Sequence, residues 1–516
     1  MTAAQPTPRA AAWGRHVALV LLALAGLYLV FGIYLTGEIY WAMAALAVLG
    51  LALYVYGSPR VLAWKYLLPG VLAMVVFVAF PLLYTTRIGF TNFSSTHLLG
   101  EQAARAYLLE QTEPREAETF HYAVRKRADS VQLALWPVDG PPTPQWVTAP
   151  FALGAAATAQ PLPLQPATAA DAAAAPQYTL RELIAQRDTL RALQLQLPDG
   201  TVLSYAGVRE FAPLQPLWRA APGDAVQEVA TGTVYRPDRH SGFFESAQGE
   251  RLQPGFKVDV GLANYARMLG DPDVRGPFLS IFVWTVVFAG LTVLFALSLG
   301  ATLAVLLNWE SLRFRTVYRT LLFLPYAVPA FISILVFKGL FNQNFGEINA
   351  LLDAVFGIKP AWFVDPTLAR TMILIVNTWL GYPYFMILCS GMLKSIPADL
   401  YEASAIAGAG PLTNFFRITL PLIIKPLYPL LISVFAYNFN NFTVISLLTN
   451  GRPDYLNTKL PAGTTDILVS YTYRIAFLDS GQNYGLAAAI STMIFFVVAL
   501  LSFANLRLTK LNRGAA

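Results

Sequence analysis

The stretch Tyr401-Glu402-Ala403-Ser404-Ala405-Ile406-Ala407-Gly408-Ala409-Gly410, followed by Ile418-Thr419-Leu420-Pro421, lies between two long apolar runs, Thr371–Leu393 and Leu420–Leu448. That position makes it a loop at a membrane surface. Ser395, Pro397 and Asp399 are helix-start signals, with Ser395 the expected cap. Gly408 and Gly410 are stop signals, and Pro411 and Asn414 open the next helical piece. Ala403, Ser404, Ala405, Ala407 and Ala409 give the intervening helix a thin profile that can sink into a groove on another protein, and Glu402 offers it a charge for pairing.

Composition widens the membrane reading to the whole chain. Of 516 residues, 56% are hydrophobic and 13% charged, whereas soluble domains carry roughly 25% charged residues. Apolar runs of about 20 residues read as membrane-spanning helices. Eight are expected: Val17–Leu35, Ile39–Tyr56, Tyr66–Ile88, Leu279–Leu307, Thr320–Phe341, Thr371–Leu393, Leu420–Leu448 and Tyr484–Asn505. The fold class is thus an α-helical polytopic membrane protein. Its expected parts are a three-helix segment (1–88), an inserted extracytoplasmic domain (89–277), and a five-helix core (278–516) carrying the loop 395–421. Pro325 and Pro329 should kink the fifth span, and Pro421, Pro426 and Pro429 should make the start of the seventh irregular.

The net charge of +6 does not point to nucleic acid, because the basic residues follow topology rather than forming one patch. Arg9, Arg15, Arg60, Lys65, Arg313, Arg315, Arg319, Lys394, Arg417, Lys425, Arg507, Lys510 and Arg513 fall on one side when the N-terminus is cytoplasmic. Excess Lys and Arg in short cytoplasmic loops sets orientation, so both termini are expected in the cytoplasm. The first span is read as part of a retained hairpin rather than a cleaved leader, since a second span follows within a few residues. Cys389 is the one cysteine, which excludes an intrachain disulfide.

The inserted domain reads as mostly strand. Leu193–Leu197 and Thr201–Tyr205, joined by Pro198-Asp199-Gly200, form an expected hairpin, and Val131–Trp136 and Gly232–Tyr235 are further strand candidates. Helices are expected over Glu101–Leu109 and Thr179–Leu193. Gly154–Pro176, rich in Ala, Pro, Gln and Thr, is expected to be a flexible loop.

Two polar faces stand out inside the spans. Asn377, Leu380, Gly381 and Tyr384 in the sixth, and Val434, Tyr437, Asn438 and Asn441 in the seventh, both follow the spacing i, i+3, i+4, i+7. An amide in hydrocarbon is costly without a partner, so such faces either glue helices together or line a cavity. Tyr rings cover the apolar faces of a sugar, and Asn amides both donate to and accept from hydroxyls. No charged residue joins the two faces, which favours a neutral, hydroxyl-rich solute.

The loop resembles the EAA loop of ABC-importer permeases: Glu402, Ala403, Gly408, Ile418, Leu420 and Pro421 fall in register, Ser404 replaces the third small residue, and Ala407 stands where many members have Asp. With Asn377-Thr378-Trp379-Leu380-Gly381-Tyr382-Pro383-Tyr384, Asn438-Phe439-Asn440-Asn441-Phe442 and Tyr471-Thr472-Tyr473-Arg474-Ile475-Ala476-Phe477, most of the chain resembles MalF-type permeases of maltose/maltodextrin ABC importers. The resemblance implies a bacterial inner-membrane location and a sugar site at Asn377, Leu380, Gly381, Tyr384, Tyr437, Asn438 and Asn441. It also implies an ATPase-coupling site at Glu402, Ala403, Ser404 and Gly408. The implied partners are a second, MalG-type permease, a dimer of MalK-type ATP-binding subunits and a periplasmic maltose-binding protein, which the outer domain would help hold. Family members carry Phe where Tyr437 stands and Ser where Val434 stands, so maltose, longer maltodextrins and trehalose all remain open.

The chain has no Gly-x-x-x-x-Gly-Lys-Ser/Thr loop, so ATP and Mg are expected to be used by the partner ATPase, with no cofactor bound here. Its four His give no metal pair at helical spacing. The rival reading is a secondary transporter for a neutral polar solute, which would want an intramembrane carboxylate or ion site. A sensor would need a cytoplasmic signalling domain and an enzyme a convergent catalytic set, and neither is visible.

Overall fold

Among the described residues of the computed structural model, seven helices are long and apolar enough to cross a membrane: His16–Leu35, Ile39–Gly57, Leu62–Gly89, Pro272–Asn308, Pro366–Leu393, Pro411–Phe439 and Tyr484–Ala504. The structure describes residues 8–514 apart from 116–117, 128–129, 154–160, 169–175, 310 and 457. The expected fifth span is not one helix. It divides into Arg315–Leu322 and Ala330–Leu340, separated by a single 3₁₀ turn at Leu324–Tyr326. Pro325 and Pro329 each lack an N–H and clash with the preceding turn, and at this spacing they interrupt the helix rather than bend it. The seventh span differs the other way: Pro426 and Pro429 lie inside a continuous helix, Leu420–Phe439. Its irregularity comes earlier, as a π-turn over Phe415–Thr419. The helix then ends at Asn440, twisted out of helical geometry, and restarts as Phe442–Leu448, so the expected run to Leu448 is two pieces.

The fourth and sixth spans pack tightly along their length, at Gly300 and again at Gly381. A Cβ on Gly300 would lie 2.6 Å from Phe385 Cβ and 2.8 Å from both Met386 N and Tyr382 O. Backbone atoms cannot yield as a flexible side chain can. Gly300→Val is therefore expected to force the two spans apart and cost about 1–3 kcal/mol or more, read as a lower thermal unfolding midpoint of the purified protein. The third and eighth spans meet at Gly89, where a Cβ would come within 3.2 Å of Ala489 N. This contact joins the N-terminal helices to the core.

Between the third and fourth spans sits the β-rich domain. Seven strands close a barrel: Phe120–Lys126, Val131–Pro137, Trp146–Thr148, Leu162–Pro166, Gln194–Gln196, Val202–Gly207 and Glu210–Ala212. All pairings are antiparallel except that of Leu162–Pro166 with Gln194–Gln196. Leu133, Leu135, Leu195, Leu203 and Phe211 fill the interior. A second, five-stranded antiparallel sheet runs from Trp218–Ala220 to Arg251–Leu252. The expected hairpin is present, with Gly200 at φ +92° and Asp199 Oδ1 accepting from Thr201 N at 2.9 Å. The helix expected over Thr179–Leu193 is two short ones, Leu180–Ala185 and Arg187–Arg191. Thr179 and Glu182 make a reciprocal cap there. Lys126, with the Thr179 amide and hydroxyl, holds the Glu182 carboxyl at about 2.

The Ala/Pro-rich stretch is not loop throughout. Leu162–Pro166 is a barrel strand, because Leu164 has the barrel interior to fill. The rest of that stretch lies largely outside the described residues. The two chain crossings between barrel and membrane are clamped together. Asn92 bonds Val258 N (2.8 Å) and Phe256 O (3.2 Å), and buried Asn264 donates to Gly89 O (2.9 Å) and Thr91 O (2.8 Å). Such pairings between segments far apart in sequence fix the domain on its membrane base.

Candidate functional site: an amide cluster and a coupling helix

Three spans contribute to one polar cluster. Asn377 Nδ2 donates to Asn438 Oδ1 at 2.8 Å and to Thr292 Oγ1 at 3.2 Å, while Asn441 Nδ2 donates to Asn377 Oδ1 at 3.3 Å. Asn438 Nδ2 turns back to Val434 O at 2.9 Å. Asn377 and Asn438 are each only 4% exposed. The two faces expected from periodicity do converge, but in this conformation their amides satisfy one another rather than lining open space. That is the outcome desolvation dictates: both protons of Asn377 find acceptors, and its oxygen finds a donor.

The helix break explains how Asn441 takes part. It follows the end of the Leu420–Phe439 helix and stands at the start of the next one without capping it, so its side chain reaches Asn377 from a turn rather than from the helical face its spacing suggested. Gly381 admits the fourth span, since its Cβ would lie 3.3 Å from Ala296 Cβ. Leu380 and Tyr384 are half-buried, and Tyr437 is 68% exposed. Tyr382 OH donates to Leu322 O at 2.8 Å, satisfying a carbonyl that the fifth-span break leaves free. Thr292 was missed from sequence. Its signal was one hydroxyl among five in an apolar span, with Ser280, Thr285, Ser298 and Thr302, and nothing singled it out.

At the opposite end of the seventh span lies the loop 395–421. A helix over Ala398–Ile406 ends at Gly408, whose φ of +75° is the left-handed stop glycine supplies. Ser395 does not cap it. Its hydroxyl donates to Met392 O at 2.7 Å, closing the preceding helix, and Pro397 occupies the cap position. Glu402, Ala403 and Gly408 are exposed, whereas Ser404 is half-buried and donates to Asn414 Oδ1. Tyr401 OH meets Thr419 Oγ1 at 2.9 Å. Ser404 and Tyr401 thus fasten the loop helix to the base of the seventh span. The exposed surface includes Ile406, 90% exposed, together with Leu412. The thin-helix reading overlooked these apolar side chains.

Beyond the short Phe442–Leu448 helix, the outer loop is organised by a buried ion cluster. Arg474 Nη1 bonds Asp466 Oδ2 at 2.8 Å and Nη2 bonds Asp454 Oδ1 at 2.6 Å. Gly463 N (2.8 Å) and Ser470 Oγ (2.7 Å) complete the shell of Asp466, which is wholly buried. Burial pushes the Asp466 carboxyl up to about 6, against the opposing pull of Arg474, Ser470 and Gly463. Leu468 N donates to Thr285 Oγ1 at 3.0 Å, tying this loop to the fourth span.

Family models match along almost the whole length of this architecture. Residues 13–60 match the N-terminal transmembrane helices of MalF, and 99–261 match the P2 domain of the maltose transport system permease protein MalF. Residues 296–510 match the inner membrane component of binding-protein-dependent transport systems. The maltose/maltodextrin transport system permease protein MalF of Photorhabdus laumondii is 47% identical over 97% of this chain and 98% of its own length.

The chain belongs to the MalF permease family.

The MalF of Escherichia coli K12 is 48% identical to this MalF-family permease over 95% of the chain and 96% of its own length. The Klebsiella aerogenes protein matches to the same extent. Among solved structures, a bacterial ABC transporter that imports alginate aligns with 48% of this chain and 84% of its own, at 21% identity and a TM-score of 0.40. The chain is a polytopic inner-membrane protein with the P2 domain set between its N-terminal helices and the permease core.

Proposed function

We propose that this chain is the sugar-conducting permease subunit of a maltose/maltodextrin ABC importer, working by alternating access. The observation that carries this is the seventh span, which links the two candidate sites directly. Its base is fastened to the exposed Glu402 helix through Tyr401–Thr419 and Ser404–Asn414. Asn438 lies 19 residues farther along, about 28 Å at helical rise. A push on the loop helix is therefore delivered to the amide cluster.

The partners in this reading are a MalG-type second permease, two MalK-type ATP-binding subunits at the coupling loop, and a periplasmic maltose-binding protein on the barrel side. ATP and Mg stay with the partner. With the coupling loop cytoplasmic, as Arg313, Arg315, Arg319, Lys394, Arg417 and Lys425 favour, the barrel is periplasmic. ATP closure must favour the outward-open state over the resting one, and in that state the Asn377–Asn438 pair opens and exchanges partners with sugar hydroxyls. Tyr437 and Tyr384 supply rings, Leu380 apolar contact and Gly381 space. A neutral solute fits, since the charged side chains found buried among the described residues, Arg125, Asp466 and Arg474, lie outside the long spans.

The test is ATPase activity of the co-purified assembly in nanodiscs, comparing empty binding protein with the same protein loaded with maltose, maltotriose or trehalose. Stimulation by a loaded form supports the importer and names its sugar. If no ATPase co-purifies, or sugar never alters its rate, the reading fails. Glu402→Lys reverses one of the two exposed charges of the loop helix and leaves Asp399 in its first turn untouched. It is expected to abolish sugar-stimulated ATPase or detach the ATPase while the chain still folds, and normal uptake by this variant would sink the docking role.

A further inference from the structure

The β-rich domain meets its membrane base at a joint built around one histidine. His97, 9% exposed, lies where the outgoing segment 90–99 pairs with the returning segment 254–260. Gly255 N donates to Thr96 O and Lys257 N to Leu99 O, both at 2.8 Å, and Asn92 N donates to Val258 O at 3.1 Å. The imidazole packs on Phe243 with ring centroids 4.4 Å apart. A Cβ would come within 3.1 Å of His97 Cδ2 at Gly242 and within 2.7 Å at Gly255. The joint is therefore closed tightly on this ring.

The joint suits a neutral imidazole and disfavours a charged one. Nδ1 lies 2.8 Å from Ser94 Oγ and 3.0 Å from Thr96 Oγ1, and hydroxyls serve either tautomer. Nε2 is buried without a hydrogen-bond partner. An imidazolium carries a proton on both nitrogens, so one donor would go unpaired in addition to the cost of burying charge. The neighbouring charges do not compensate. Arg251 of the Arg251–Leu252 strand repels a second cation. Glu245, which would attract one, is engaged by Arg251 at 2.6 Å and Ser241 Oγ at 3.0 Å. Asp238 accepts from the His240 and Ser241 amides at 3.0 Å each, and His240 itself is exposed. On the returning segment Lys257 sits over the Phe93 ring and Asp259 pairs with Arg87, while Glu101 pairs with Arg239. Burial thus holds the His97 ring below the ordinary histidine value, with Arg251 adding to it and the Ser241 carbonyl pulling the other way.

We infer that His97 is a proton-sensitive latch: neutral, it lets the joint close, and protonated, it favours an opened joint in which the β-rich domain is freer on its membrane base. A base that binds protons less well closed than open makes closure fully favourable above its ordinary value near 6.5, and that advantage is lost as pH falls below it. A histidine is the side chain whose ordinary titration lies in this range. With the barrel periplasmic, as proposed above, the latch responds to acidity outside the cytoplasm. The latch itself requires neither that orientation nor any particular solute.

The experiment is hydrogen–deuterium exchange of the full chain in lipid nanodiscs, with the rates in segments 90–99 and 254–260 divided by the intrinsic rate at each pH. Between pH 7.5 and 5.5 the wild-type joint is expected to open up to about tenfold more, the limit a single group titrating near 6.5 when open can supply. His97→Asn keeps a hydrogen-bonding side chain that does not titrate, and should lose this dependence. Arg251→Gln leaves His97 in place, removes the repelling charge and frees Glu245, so it should shrink the dependence. Corrected exchange that is the same at both pH values in wild type, or the wild-type dependence retained in His97→Asn, overturns the inference. If His97→Asn does not fold, Arg251→Gln decides, and an undiminished dependence there overturns it.

Discussion

Arg474→Met is expected to destabilise the folded permease by about 3–5 kcal/mol, the usual consequence of leaving a buried charge without its partner. Arg474 bonds both Asp466 and Asp454. Asp454 is partly exposed and can return to water, whereas Asp466 cannot. Without Arg474 the Asp466 carboxyl is pushed above its present value of about 6, so folding then favours the neutral acid. The sign follows from linkage. A carboxyl whose folded pKa is raised takes up a proton on folding, so the variant's deficit is smallest below the unfolded value near 4 and grows as pH rises through the folded one. Thermal unfolding midpoints of wild type and variant should therefore lie closer together at pH 5 than at pH 8. Asp466→Asn placed on top of Arg474→Met should recover part of the loss and flatten the pH dependence. An Arg474→Met protein as stable as wild type at pH 8 would show that the cluster contributes no net stability. Because Leu468 N is tied to Thr285 on the fourth span, looseness in this loop should also reach the core.

The second large effect concerns transport. Asn438→Ala removes the acceptor that Asn377 Nδ2 uses at 2.8 Å and, on the proposed reading, a ligand for sugar hydroxyls. Uptake of the cognate sugar is expected to fall at least about tenfold, with a cost to folding of about 1–3 kcal/mol from the unpaired amide. Thr292→Val separates these roles. It deletes only the 3.2 Å bond to Asn377 and leaves the Asn pair intact. If the cluster is helix glue alone, the two variants should lose stability and uptake in proportion. If the Asn pair also receives sugar, Asn438→Ala should lose far more uptake than its stability accounts for. Uptake of every tested sugar unchanged in Asn438→Ala would remove Asn438 from the site. The static geometry by itself gives the glue role: four polar side chains, Thr292, Asn377, Asn438 and Asn441, close on one another. The ligand role depends on that closure being reversible.

Much of this architecture is legible in the chain because the solvent dictates it. Where water is absent, backbone groups must pair within a helix, so long apolar runs read directly as spans, and all but the two interrupted ones appear as expected. Local rules worked for the Asp199-Gly200 turn and the Gly408 stop, each of which depends on a few consecutive residues. Ser395 shows the limit of such rules. A hydroxyl between two helices can close the one behind it or open the one ahead, and sequence does not say which.

What only the tertiary structure decided are the choices between partners distant in the chain. Periodicity placed Asn377 and Asn438 on polar stripes of two spans, but that they bond each other was decided by how the sixth and seventh spans pack, and Thr292 joins them because Gly381 and Gly300 let the fourth span approach the sixth. Barrel closure required Leu162–Pro166 to pair in parallel with Gln194–Gln196, a register that short polar strands do not encode. The fate of prolines was likewise settled by surroundings. Pro325 and Pro329 broke the fifth span, where Tyr382 OH could take a freed carbonyl, while Pro426 and Pro429 were absorbed into a continuous helix. Sequence by itself thus determined the solvent, the spans and the identity of the polar residues, since each follows from transfer energies of single side chains. Which of those residues meet was decided by packing, because a buried donor takes whichever acceptor the fold brings within reach.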